Sequence, residues 1–343
     1  MTKSSKPHLR NPRSGQRLRP VHIVGTGSYV PDRVLTNADL EKMLDTTDEW
    51  IVTRTGIKER RIAPDTMCTS DMGAEAARRA MEQAGVREDQ IDLIICATIT
   101  PDMPFPATAC LIQQKLGAKR AAAFDMEAAC SGFLYGLEIA QQFITSGTFN
   151  TVLVIGAEKL STIVDWEDRA TCVLFGDGAG AAVLQSRGDE HGILTTCMGA
   201  DGSQADILLM PAGGARFPAS KESVSGKMHY LKMAGKEVYK NAVTAMQMAA
   251  EEALRRCNLT IEDIACVIPH QANMRILEAI ADRLGVPMEK VYVNLQRYGN
   301  VSAGSVAIAL DEAAREGRFQ RGDLVLLVVF GSGLTWASCV IQW

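Results

Sequence analysis

The sequence predicts an α/β fold assembled from two similar halves, and three observations carry that reading. Continuous apolar runs of strand length, at 93–97 and 152–156, suit strands buried on both faces of a sheet. Helix-period patterns closed by glycines alternate with them, as layered α/β chains require. The third observation is an internal repeat. Gln90-Ile91-Asp92-Leu93-Ile94-Ile95 and Asp263-Ile264-Ala265-Cys266-Val267-Ile268 each follow an alanine-rich helix pattern. Each leads through a loop into a helix ending in Leu-Gly, at Leu116-Gly117 and Leu284-Gly285. A second strand and a helix with a small-residue start then follow in both. The offset is about 170 residues, half the chain. Matching loops of two such halves converge at the centre of one pseudo-symmetric unit. The chain thus divides into a basic tail (1–20), an N-terminal half (21–190) and a C-terminal half (191–343).

The tail carries Lys3, Lys6, Arg10, Arg13, Arg17 and Arg19 among Ser and Pro. It lacks the apolar stretch of a secretory signal and reads as disordered. Order begins with a strand at Val21-His22-Ile23-Val24. Gly25-Thr26-Gly27 starts like a dinucleotide loop, but Val30 holds the third glycine position and Pro31 stands where a helix should open. A helix starts near 37–41. Another covers 71–84, with Gly73, Ala76, Ala77, Ala80, Met81 and Ala84 on one face and Gly85 as its stop. Residues 121–126 read as a strand and 133–144 as a helix ended by Gly147. Residues 171–175, the run Gly176-Asp177-Gly178-Ala179-Gly180, and 181–184 read as strand, turn and strand. No helix pattern follows that run, which argues against a phosphate loop. Residues 200–226 read as an irregular surface segment. The C-terminus reads as a hairpin, 324–330 and 334–343, around Gly331-Ser332-Gly333.

A composition of 47% hydrophobic and 22% charged residues fits a soluble globular protein. Net charge −4 gives no general electrostatic reason to bind nucleic acid or an anionic membrane, and no apolar run is long enough to span one. The nine cysteines contain no Cys-x-x-Cys, which argues against a zinc ribbon or a thioredoxin motif, and no metal site is read. Without a signal peptide they point to reducing cytoplasm.

Chemistry concentrates at three turns. Cys130, in Ala128-Ala129-Cys130-Ser131-Gly132-Phe133, stands where a strand becomes a helix. A thiol there faces unpaired N–H groups and the positive end of the helix dipole, which favour thiolate and predict a lowered pKa. His270, in Pro269-His270-Gln271-Ala272-Asn273, follows a buried strand and precedes a helix. Asn300, in Tyr298-Gly299-Asn300-Val301-Ser302-Ala303, occupies another strand-to-helix turn. The repeat puts these loops on one face. A nucleophilic thiol, an imidazole and an amide donor on one face suit acyl transfer, with His and Asn stabilising an enolate or oxyanion.

With these motifs, Phe175-Gly176-Asp177-Gly178-Ala179-Gly180 and the stretch Asp48-Glu49-Trp50-Ile51-Val52-Thr53-Arg54-Thr55-Gly56-Ile57, the chain resembles the β-ketoacyl-acyl-carrier-protein synthases III of the thiolase superfamily. The resemblance runs from about residue 21 to the end and implies a five-layered αβαβα fold, a homodimer and the initiation of type II fatty acid synthesis. It implies that Cys130 takes a short acyl group, such as acetyl, from acyl-CoA, which is a substrate and not a cofactor. His270 and Asn300 would stabilise the enolate formed when malonyl-acyl carrier protein loses CO₂. Backbone N–H groups of Cys130 and Ser332 would form the oxyanion hole. Ser332 stands where many relatives have glycine, so its dihedrals must permit that role. Trp50, Arg54 and Arg169 match positions that hold the CoA nucleotide, and Asn273 a contact to the pantetheine arm. Lys240, Gln271, Ala272, Asn273, Met274 and Arg275 match the surface that receives the acidic carrier protein. Leu160, Phe175 and Leu231 would line the acyl pocket, with Phe105 closing its far end across the dimer interface. Lys236 has no role assigned by the resemblance. Two other readings use the same residues: a homologue in secondary metabolism with another acyl-CoA or acceptor, and a Cys-His-Asn thioester hydrolase, which the duplicated strand–turn–helix pattern disfavours.

Overall fold

A computed structural model describes residues 19–188 and 192–343. Most of the predicted tail therefore lies outside the described residues. Arg19 is already anchored: its guanidinium donates to Asn150 Oδ1 at 2.9 Å.

Nine strands build two sheets. They are β1 (Val21–Tyr29), β2 (Leu93–Ala97), β3 (Ala122–Met126), β4 (Thr151–Lys159), β5 (Asp177–Ser186), β6 (Gly192–Ala200), β7 (Ile264–Pro269), β8 (Leu324–Gly331) and β9 (Thr335–Gln342). The first sheet has the order β1-β5-β4-β2-β3 and the second β7-β8-β9-β6. In the first, β3, β2 and β4 run parallel, then β5 and β1 antiparallel. The second repeats this pattern: β7 and β8 are parallel, then β9 and β6 antiparallel. The counterpart of β3 is reduced to one parallel bridge between Val291 and Val267. The duplication predicted from the repeat is therefore present strand by strand, with one edge strand worn down to a single contact.

Six helices complete the layers: α1 (Thr69–Ala84), α2 (Thr108–Leu116), α3 (Gly132–Thr145), α4 (Gly235–Cys257), α5 (Met274–Leu284) and α6 (Ala303–Arg315). Helices α1, α2 and α5 end in left-handed Gly85, Gly117 and Gly285, the stops read from the sequence. Side chains alternate across each buried strand. Leu93 and Ile95 face a central core that includes Phe133 and Leu134 of α3 and Val306 and Leu310 of α6. Ile94 and Cys96 face an outer core under α1 and α2. In the second sheet Val325, Leu327 and Val329 face the centre, whereas Leu326, Val328 and Phe330 face α4 and α5. The result is the five-layered αβαβα arrangement, with α3 and α6 enclosed between the sheets.

Two local readings are corrected. Residues 171–175 form no strand, since a short helix, Arg169–Cys172, ends there; nor is the glycine run a turn, because β5 starts at Asp177 and carries Gly178 and Gly180 within it. A Cβ at Gly180 would lie 2.5 Å from that of Ala307, so the missing side chain lets α6 lie flat on the strand. Gly25 and Gly27 likewise lie inside β1, where a Cβ would stand 2.4 Å from the carbonyls of Ala80 and Ala76 on α1. The segment 200–226 is not purely surface. Leu208–Leu209 pairs with Lys232–Met233, and this small ribbon covers the cavity described below.

No described helix is long and apolar enough to cross a membrane. The nine cysteines are all free.

Close packing makes Gly156 of β4 a sensitive position. A Cβ there would lie 2.3 Å from the Ala303 carbonyl at the start of α6. Gly156→Ala should cost roughly 3 kcal/mol in chemical denaturation. A cost under about 0.5 kcal/mol would contradict this packing account.

Candidate active site

One cavity of about 860 Å³ runs from the surface to the N-terminal ends of α3 and α6. Cys130, His270 and Asn300 all line it. They are 8%, 4% and 8% exposed, so the three turns converge on a largely buried floor.

Each group is held by its backbone. Cys130 follows Ala129, whose φ is +46°, and α6 is preceded by Ser302 with φ +47°. Two non-glycine residues in the left-handed region at equivalent turns mark the same sharp elbow built twice. Thr335 Oγ1 clamps the first elbow by donating to the Ala128 carbonyl at 2.9 Å. A Cβ on Gly331 would come within 2.7 Å of the Cys130 nitrogen, so glycine keeps the space in front of that N–H clear. Ser332 also lines the cavity. The positive φ in its turn falls on Gly333 instead, so serine is tolerated at 332. Its Oγ donates to the Leu208 carbonyl and ties the turn to the covering ribbon.

Asn300 bridges to Phe175: its N–H donates to Leu174 O at 2.8 Å, and its carbonyl accepts from Gly176 N at 3.0 Å. Asn300 Oδ1 accepts from Ser302 N at 2.7 Å. That bond fixes the amide orientation and leaves Nδ2 as the available donor. His270 N–H donates to Val328 O at 2.8 Å, while its buried Nδ1 has no hydrogen-bond partner among the described residues.

Enclosure sets the protonation states. Burial pushes the Cys130 thiol up to about 12, with Ser302 pulling down and the charge of Glu158 pushing up. This corrects the expectation of a lowered pKa: around an enclosed sulfur, desolvation outweighs the helix dipole. Burial lowers His270 to about 4, so its ring is neutral at neutral pH. The resting pair is therefore thiol and neutral imidazole.

Leu160, Phe175 and Leu231 line the cavity together, as expected. Phe105 does not; it is 84% exposed and is no part of the lining of its own chain's cavity. At the mouth, the Arg54 and Arg169 guanidinium carbons lie 4.4 and 4.7 Å from the Trp50 ring centroid. A planar base entering between Trp50 and Arg169 must open that stack. Asn273 and Ala272 line the cavity. Asn273 also caps α5, its Oδ1 accepting from Arg275 N, and its Nδ2 donates to Arg54 O. Arg275 and Lys240 are exposed, and Met274 is half-buried.

Gln271 is a correction. It is 1% exposed, and its amide joins Pro269 O, Tyr292 O, Asn294 N and Leu295 N. It braces the His270 turn from inside and offers nothing to a docking protein.

Other supports escaped the sequence reading. Arg60, fully buried, donates to Leu35 O, Asn37 Oδ1 and Val173 O, pinning the turn on which Asn300 rests. Glu312 gathers Asn294, Arg297 and Tyr298 beneath the same turn. Charged residues at such spacings give no sequence signal of burial. Lys236, left without a role above, lines the cavity mouth.

Comparison with known proteins agrees with this geometry. The family profile for 3-oxoacyl-[acyl-carrier-protein (ACP)] synthase III matches residues 124–202, and that for its C-terminal part matches residues 254–343. A β-ketoacyl-[acyl-carrier-protein] synthase III of Caldanaerobacter subterraneus subsp. tengcongensis is 59% identical over 94% of this chain and 97% of its own. One from Desulfitobacterium hafniense is 56% identical over 94% and 98%. The crystal structure of the Aquifex aeolicus VF5 3-oxoacyl-[acyl-carrier-protein] synthase III is 50% identical and superposes with a TM-score of 0.88 over 94% of this chain and all (100%) of that one. The priming β-ketosynthase of the R1128 polyketide pathway is 39% identical, with a TM-score of 0.88 over 98% of both chains. The fold and site define a thiolase-fold condensing enzyme, an acyltransferase. Within that class the chain belongs to the β-ketoacyl-[acyl-carrier-protein] synthase III family, which performs the condensation of fatty acid synthesis.

The neutral state of His270 is directly measurable. With its folded pKa below the unfolded value of about 6.5, the unfolded chain takes up the proton first. This group therefore subtracts stability as pH falls from about 6.5 towards 4. NMR of ring-labelled histidine should show no His270 titration until pH approaches 4; a midpoint near 6.5 would contradict the buried neutral ring.

Proposed function

We propose that this enzyme primes chain synthesis by condensing a short acyl-CoA, acetyl-CoA by preference, with malonyl-acyl carrier protein through an acyl-Cys130 intermediate. The observation that carries the reading is the convergence of thiol, imidazole and amide on one buried floor. In the first stage the Cys130 sulfur attacks the thioester carbonyl, the carbon–sulfur bond to CoA breaks, and the thiol proton leaves with CoA. The N–H groups of Cys130 and Ser332 receive the developing oxyanion. Because the resting sulfur is a thiol, proton loss accompanies attack instead of preceding it.

In the second stage the malonyl carbon–carboxylate bond breaks and its electron pair becomes the enolate. His270, neutral, and Asn300 through Nδ2 donate to the enolate oxygen. The enolate carbon attacks the acyl-cysteine carbonyl, the bond to Cys130 breaks, and one proton is taken up to restore the thiol. β-Ketoacyl-carrier protein and CO₂ depart.

Trp50, Arg54 and Arg169 form the nucleotide end of the CoA site: the indole offers a stacking face and the guanidiniums offer charge to phosphates. Exposed Lys240 and Arg275 are the proposed contacts for the acidic carrier protein. Ala272 and Asn273 line the channel that its pantetheine arm would use, and Met274 lies beside it. Homodimer formation is supported by Phe105, 84% exposed, and Met103, 42% exposed, on one loop near the open edge strand β3. Phe105 of each copy would close the acyl pocket of the other. A cytoplasmic setting accords with nine free thiols. No cofactor is invoked.

A second reading, priming in secondary metabolism with another acyl-CoA, draws on the similarity to the R1128 priming enzyme. Intact-mass analysis of carrier protein after incubation with acetyl-CoA and malonyl-carrier protein separates the two. An acetoacetyl adduct, absent with Cys130→Ala, is the expected result. No adduct with acetyl-CoA, but one with a different acyl-CoA, would overturn the primer assignment.

A further inference from the structure

The scheme above leaves unused a fully buried carboxyl that ties down one wall of its cavity. Glu158, near the end of β4, has no exposed surface. Its carboxylate oxygens accept from Thr98 Oγ1 at 3.1 Å, Ile99 N at 3.1 Å, Thr100 N at 3.1 Å and Thr100 Oγ1 at 2.6 Å. All four donors belong to the turn that continues β2. Ile99 of that turn lines the cavity, and the chain runs on from it to Phe105. Its charge also acts on the Cys130 thiol at the first elbow. Cys96 of β2 is the further titratable neighbour. Adjacent Lys159 turns away, donating to the carbonyls of Pro64 and Met67. Asp102 and Asp125, which act on the same Cys96, are committed to Ser70 and to the start of α2.

We infer that Glu158 is a positioning residue for the acylation step and a determinant of primer choice: one buried carboxyl holds the turn that walls the acyl cavity, and its negative charge acts on the Cys130 sulfur. The inference rests on Cys130 as the acylated nucleophile. Burial raises Glu158 to about 7, against the hydrogen bonds of Thr100, Ile99, Ser302 and Thr98. As pH rises through that value the carboxyl gains its charge and resists formation of the Cys130 thiolate. Removing the charge while keeping the shape should release the thiol. It should also disturb the turn, because a carboxamide offers one acceptor oxygen where Glu158 offers two, and its N–H₂ would face the Ile99 N–H that now reaches both.

The test uses full-length Glu158→Gln and Thr100→Val. Alkylation of Cys130 by iodoacetamide is followed by peptide mass from mildly acid to alkaline pH. In parallel, kcat/KM is measured for acetyl-, butyryl- and hexanoyl-CoA. Glu158→Gln should move the alkylation profile to lower pH and change the hexanoyl-to-acetyl ratio about fivefold or more. Thr100→Val keeps the carboxyl but removes a hydrogen bond that holds its pKa down, so it should change the ratio while leaving the alkaline midpoint of thiol alkylation, where the carboxyl is charged in both, near that of the unaltered enzyme. An unmoved profile in Glu158→Gln, with all primers slowed alike, would overturn the inference and make the residue purely structural. If Glu158→Gln does not fold, an unchanged primer ratio in Thr100→Val overturns it. Acyl label on a residue other than Cys130 in the unaltered enzyme is a separate failure, that of the nucleophile assignment itself.

Discussion

Everything at this site depends on how closely two helices approach two sheets. A Cβ on Gly132 would stand 2.8 Å from that of Ala97 and 3.6 Å from that of Ala303. Gly156 meets the Ala303 carbonyl, and Gly180 meets Ala307. Through these side-chain-free contacts α3 and α6 lie between the sheets with their N-terminal ends together. Ala129 and Ser302 turn the chain sharply into each helix. The nucleophile enters from one half of the duplication and the amide donor from the other, so neither half alone contains the chemistry.

Enclosure then governs reactivity. The same desolvation that raises the Cys130 thiol keeps the His270 ring neutral. A neutral imidazole and an oriented amide are weak donors in water. They become effective towards an enolate where water is excluded and the local dielectric is low. Dryness also protects an acyl-cysteine from hydrolysis. That separates condensation from the thioester hydrolysis that the same three residue types could otherwise support.

Much of this was legible in the sequence. Continuous apolar runs at 93–97 and 152–156, glycine stops and the half-chain repeat carried the layers. Cys130, His270 and Asn300 stood out because each stands at what reads as a strand-to-helix turn, although before Asn300 the structure has a short helix, Leu295–Tyr298, in place of the strand. The glycine run at 176–180 misled because its lack of side chains serves a helix lying on the strand, which only the tertiary structure reveals. Gln271 misled because motif position says nothing about which way a side chain turns. Arg60, Glu158 and Glu312 went unread because a charged residue type carries no sequence signal of the packing that covers it. The thiol's protonation state was misjudged because a helix N-terminus is visible in sequence, whereas the depth of its burial is not.

The division of labour between the halves can be tested in a single-turnover experiment on Asn300→Ala, reading Cys130 acylation and CO₂ release separately. If Asn300 acts on the enolate, acylation proceeds near the unaltered rate while CO₂ release from malonyl-carrier protein falls about 10²–10³-fold. Loss of acylation by the same factor, or undiminished CO₂ release, would contradict the assignment of the enolate site to the C-terminal half.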